Sequence, residues 1–119
     1  MKSARLDPRT GPLGPDPAQQ LAIECHRDAQ TALIVLTGEV DLASATQIEH
    51  ALFDVISRAS RIVIDLAAVE FIDSFGVATL IRAQRHAYAN EHSLSLRQVP
   101  PQARRLFELV GLAGAFVTD

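Results

Sequence analysis

RIVIDLAAVEFIDSFGVATLIRAQRHAYAN, residues 61–90, is the stretch on which the fold turns. Its opening, RIVIDL, is a short apolar run rich in β-branched side chains, which predicts a strand buried on both faces. AAVEFIDSFG (67–76) reads as the loop leaving that strand. A helix follows from about Ser74 to Asn90, with Val77, Leu80, Ile81, Ala87 and Tyr88 facing inward. Asp73, one residue ahead of the helix, carries a short oxygen-bearing side chain and is its natural N-cap.

Working outward, LAIECHR (21–27) reads as a strand, DAQ (28–30) as a tight connection and TALIVLTG (31–38) as a second, continuously apolar strand. The two form an antiparallel hairpin. Between this hairpin and residue 61, Ile48, Ala51, Leu52, Val55 and Ile56 fall on one face of a helix. Ser44 and Gln47 are spaced as a capping box at its start. Downstream, SLSLRQV (93–99) is a further strand. Pro101 suits the first position of a last helix carrying Ala103, Leu106, Phe107 and Val110, with Gly111 as its stop. The order is β-β-α-β-α-β-α. Strands joined through helices run parallel, so the expectation is an α/β sandwich: a mixed, mostly parallel sheet of about four or five strands with helices packed on it.

At 119 residues and 48% hydrophobic, the chain has the size of one domain and enough apolar material for a core. With five Phe, one Tyr and no Trp, that core must be built from Val, Ile, Leu and Ala. A net charge of −3 argues against nucleic-acid binding, which calls for a clustered basic face. Cys25, the single cysteine, excludes an internal disulfide and a Cys-based zinc site, and reads as a buried structural thiol. Residues 1–20, with Pro8, Gly11, Pro12, Gly14, Pro15 and Pro17, have the composition of a disordered tail, which places the domain at 21–119. No apolar run resembles a signal peptide or approaches a membrane span, so a cytoplasmic protein without membrane contact is expected.

Loops leaving the carboxyl ends of parallel strands share one edge of such a sheet, where partners tend to meet it. Two loops qualify, GEVDLAS (38–44) and AAVEFIDSFG (67–76). With Asp65 they bring Glu39, Asp41, Asp65, Glu70 and Asp73 toward one rim, and neither loop contains a basic residue. Taken singly, Asp65 and Asp73 can be read as bonding loop backbone and the two glutamates as merely solvated. As a group they point to a basic partner surface. Ser74 lies in a first helical turn, where free N–H groups and the helix dipole accommodate an anion. It reads either as a structural hydroxyl or as a phosphoacceptor.

LTGEVDLASA, RIVIDLAAVEFIDSFGVATLIRAQRHA and PPQARRLFELVGL together resemble the STAS domain of bacterial anti-sigma-factor antagonists, over about residues 21–119. The family pattern is an apolar strand ending in Asp-Leu, a short loop, then Asp-Ser-small-Gly-apolar. Here it reads Asp65-Leu66, then Asp73-Ser74-Phe75-Gly76-Val77. The resemblance implies that Ser74 is phosphorylated by a GHKL-type partner that is both anti-sigma factor and serine kinase. It implies that only the unphosphorylated form binds this partner and releases the sigma factor, and that a PP2C-type phosphatase resets the switch. Asp41 matches the Asp of the family's Gly-Glu-x-Asp loop. The expected partner surface comprises Glu39, Asp41, Asp73, Ser74, Phe75 and Gly76. Phe75 departs from the pattern, standing where many members carry Ser or Thr; Glu39 and Glu70 are not assigned by it.

An enzyme is not expected. The Gly-x-Ser-x-Gly elbow is absent around Ser74, and His26, His50, His86 and His92 are scattered. No metal-ligand spacing and no cofactor motif is present. The second functional reading is a STAS scaffold subunit of a signalling assembly or a lipid-transport complex, because one fold serves several roles.

Overall fold

The computed structural model describes residues 21–109. The residues assigned to a tail, and Val110 and Gly111 of the last helix, lie outside that range. The described elements are β1 (Leu21–Asp28), β2 (Thr31–Val40), α1 (Ala45–Ile56), β3 (Arg61–Ile72), α2 (Ser74–Ala89), β4 (Ser93–Arg97) and α3 (Pro101–Leu109), in the expected order. They build a four-stranded sheet ordered β1-β2-β3-β4. The β1–β2 hairpin is antiparallel, and β2–β3 and β3–β4 are parallel.

Alternation decides which face is buried. Ala32, Ile34 and Leu36 of β2, Ile62, Ile64 and Leu66 of β3, and Leu94 and Leu96 of β4 join one core with Ile48, Leu52, Val77, Leu80 and Phe107 from the three helices. Complete burial of each such Ile or Leu contributes about 1.5–3 kcal/mol relative to exposure. The helices therefore cover one face only. RIVIDL is thus not buried on both faces: Val63 and Asp65 point to the open side and are half-buried. Continuous apolar character is shared by doubly covered strands and by strands whose outer face carries a few aliphatic residues, so the run alone does not separate them.

Cys25 corrects another expectation, because it is exposed. It sits opposite Ile34 and so on the helix side of the sheet. However, β1 is an edge strand, and α1 leaves an open groove of about 540 Å³ along it, walled by Ile23, Cys25, Ala51 and Val55. Tyr88 is also exposed, at 79%, rather than inward. The buried stripe of α2 runs through Gly76, Val77, Thr79, Leu80, Ala83 and Ala87, and a residue after Ala87 is turned about 100° away. Small side chains on that stripe let the helix lie close to the sheet.

β3 runs six residues past Leu66, through much of the stretch read as a loop. Its pairing with β2 shifts between Val35 and Thr37 and again between Gly38 and Glu39. Two extra residues on β3 change the spacing of its buried positions from two to three: Leu66, Val69, Ile72. Bulges of this kind bend a strand and re-aim its end. Here they deliver Asp73 and the start of α2 beside Val40.

Candidate partner-binding site

The Asp73–Gly76 turn is built against the end of β2. Asp73 is extended (φ −112°, ψ −176°), its N–H donates to the Val40 carbonyl (3.2 Å), and its carboxylate accepts from the Gly76 N–H (2.9 Å). Asp73 is thus the N-cap of α2, as expected, and takes one of the N–H groups that a helix start leaves without an intrahelical partner. Ser74 is the first residue of α2 and is exposed, as is Phe75; Gly76 is buried against Val40.

The Asp41 loop is held from within. Ser44 is 2% exposed, and its hydroxyl lies 2.9 Å from the Glu39 carbonyl, to which it donates, while accepting from the Asp41 N–H (3.0 Å). The Asp41 carboxylate accepts from the Ser44 N–H (3.1 Å). The expected capping box is not formed: Ser44 makes no side-chain cap bond, and Gln47 instead donates weakly to the Leu21 carbonyl (3.5 Å). A hydroxyl already committed to a tight loop is unavailable to the helix it precedes. Asp41→Ala therefore removes a loop acceptor and is expected to cost about 1 kcal/mol of folding free energy, read as a lower denaturant midpoint at unchanged slope.

The five-carboxylate rim is smaller than the spacing suggested. Asp65 lies on the open sheet face, well before the strand end, and retains 13% of its side-chain exposure. It accepts from the Ala67 N–H and from Arg97 Nε, both at 2.8 Å. Burial of the carboxyl works to raise its pKa, but the Ala67 N–H, the Arg97 hydrogen bond and the Arg97 charge outweigh it, so the pKa lies below the usual 3.8. A pKa lowered on folding contributes stability above the unfolded-state value and loses it as pH falls through the folded-state value. Comparing denaturant melts of wild type and Asp65→Asn across pH checks this: the wild-type advantage should be full at neutral pH and shrink below 3.8.

The structure brings Glu39, Asp41, Asp73, Ser74, Phe75 and Gly76 together around the Val40 junction; Glu39 pairs across the strands with Phe71. Three contributors escaped the sequence reading. Gln102 of α3 clamps the end of β3, accepting from the Ile72 N–H (3.2 Å) and donating to its carbonyl (2.6 Å), beyond the last pairing with β4. Nothing in the spacing of a helical glutamine announces a partner thirty residues away. Leu42 and Phe71, both exposed, flank the turn. Phe71 was read as part of a loop, where an exposed aromatic draws no attention. Among the described residues no group of His, Cys, Asp and Glu is arranged to hold a metal ion, and no helix is long and apolar enough to cross a membrane.

A half-open sheet with helices on one face, and a capped serine turn at the carboxyl end of its central parallel strand, defines the class. The family model described as "Mlab, STAS domain" matches residues 23–118, and the chain belongs to the STAS domain family. It is similar to a Bordetella bronchiseptica protein provisionally named anti-sigma factor antagonist BtrV, 28% identical over 82 residues, spanning 68% of this chain and 71% of that one. The anti-sigma factor antagonist SpoIIAA in its unphosphorylated form superposes with a TM-score of 0.72 at 26% identity, over 82% of this chain and 87% of that chain. SpoIIAA of Bacillus in its phosphorylated form gives 0.69 at 26% identity, over 82% and 90%. An anti-sigma factor antagonist from Mycobacterium paratuberculosis gives the same score and identity, over 82% and 84%.

Proposed function

We propose that this protein is an anti-sigma factor antagonist whose partner binding is switched at Ser74. The observation that carries the reading is an exposed serine hydroxyl at the first position of α2, directly after a working Asp73 cap, in a fold shared with a protein solved both phosphorylated and unphosphorylated. In this reading the unphosphorylated chain binds a GHKL-type anti-sigma factor serine kinase and frees the sigma factor. The kinase transfers the γ-phosphoryl group of ATP to Ser74 Oγ; the hydroxyl proton is lost and ADP departs. A PP2C-type phosphatase reverses the modification by hydrolysis.

The chemistry of the turn supports this assignment. Phosphate adds roughly −1.5 to −2 charges at neutral pH, and the N-terminal end of a helix tolerates that charge without rearrangement. The modification therefore alters the surface offered to a partner and leaves the backbone where it is. Intact-mass measurement on protein purified from its own cells, before and after phosphatase treatment, tests the reading. The expected result is loss of one phosphate group mapped to Ser74. Absence of any modified form under every growth condition, together with copurification of transporter subunits and no kinase, would support the scaffold role instead.

A further inference from the structure

Among the described residues five large apolar side chains are exposed, and three of them flank a single junction. Leu42 (62% exposed) is two residues past Val40, Phe71 (44%) is two before Asp73, and Phe75 (53%) adjoins Gly76, whose backbone packs on Val40. Exposed apolar residues scattered singly mean little, whereas a group at one site marks a contact surface. The carboxylates around them are partly spent: Asp41 holds Ser44, Asp73 caps α2, and Asp65 is paired with Arg97 away from the turn. Glu39 and Glu70 remain at the margin, and residues 38–44 and 66–76 contain no Lys or Arg.

We propose that Phe75, supported by Leu42 and Phe71, is the apolar anchor of the partner contact, seated in an apolar recess that the anti-sigma factor rims with basic residues. This rests on the antagonist role and adds what the binding energy is made of. Aromatic anchors at the centre of a contact supply most of its energy, and charges at the rim chiefly set orientation and encounter rate. The anchor also explains the switch locally. A phosphate on the residue beside Phe75 must keep its hydration, and closing an apolar recess over Phe75 would strip that water away.

The test is calorimetric titration of a purified GHKL-type serine kinase from the same cells with the full chain and with Phe75→Ser, Phe75→Leu and Leu42→Ser. Phe75→Ser should weaken binding at least tenfold, roughly, with the melting temperature unchanged because the ring is half exposed, while Phe75→Leu stays within about threefold of wild type. Raising the salt from roughly 0.05 to 0.5 M should weaken wild type and Phe75→Ser alike and keep the ratio of their affinities within about threefold, since the rim charges are screened and the apolar contact is not. If the kinase binds wild type and both serine variants equally, or if the difference between wild type and Phe75→Ser disappears at high salt, the anchor is overturned while the antagonist role stands. If the kinase does not bind wild type at all, the antagonist role falls and the anchor with it.

Discussion

Gly76→Ala is expected to destabilise the domain by about 3 kcal/mol, with a backbone clash outweighing alanine's better helix propensity. A Cβ at this position would stand 2.7 Å from Val40 Cγ1, 2.8 Å from the Val40 carbonyl carbon, and closer still to the carbonyl oxygen. Two of those three atoms are backbone. They cannot swing aside, because Val40 is paired with Ile72 and its carbonyl already accepts from the Asp73 N–H. Relief requires the start of α2 to lift, which also pulls Gly76 N–H from the Asp73 carboxylate. Alanine would return only about 1 kcal/mol through helix propensity. A loss of that size is a large share of the 5–15 kcal/mol that typically separates a folded domain from its unfolded chain. Denaturant melts should show a lower midpoint at unchanged slope, and a midpoint equal to wild type would mean that the helix start can yield at no cost. The glycine is required for space, since its backbone is helical.

Ser74→Asp should separate binding from folding. Ser74 is exposed at the first position of α2, so a carboxylate there faces the positive end of the helix and is expected to raise stability by about 0.3–1 kcal/mol. The same charge beside Phe75 should weaken kinase binding by about tenfold or more, equivalent to ~1.4 kcal/mol. Ser74→Ala should bind as the unmodified protein does and keep binding in the presence of ATP. Melts and titrations on one preparation check both quantities. Unchanged kinase affinity in Ser74→Asp would remove Ser74 from the contact, even though Asp carries only about half the charge of phosphoserine. A variant that melts higher yet binds worse is hard to obtain by structural damage, which is what makes this pair of readings informative.

Element order and the capped serine turn were legible in the chain. Short apolar runs rich in β-branched residues at 31–38 and 61–66, a period of 3.6 in 48–56, and Asp73 one residue ahead of an apolar helical stripe are local signals, set by backbone sterics and by side chains that act within a turn. They placed the start of each element within a residue or so and identified the cap, but ended β3 at Leu66, six residues short of Ile72. Ser44 and Gln47 show how a local signal fails. The spacing of a capping box is present, yet the serine hydroxyl is captured by the Glu39 carbonyl and the Asp41 N–H. Two arrangements satisfy the same hydroxyl, and packing chooses between them.

What the chain alone determined is therefore the set of strands and helices, their sequence, and the identity of the exposed serine at a helix start. Tertiary structure decided which face of the sheet is covered, leaving Val63 and Asp65 outside the core, and it left Cys25 exposed on an edge strand beside an open groove along α1. It also decided, through two bulges, that β3 runs on to Ile72 and meets Val40, that Arg97 neutralises Asp65, and that Gln102 holds the strand end. Each of these joins residues about thirty positions apart. Local propensity carries no term for such contacts; they arise when the layers close, because a buried backbone N–H, carbonyl or carboxylate left without a partner costs about 1–3 kcal/mol, so the packed chain settles where each finds one.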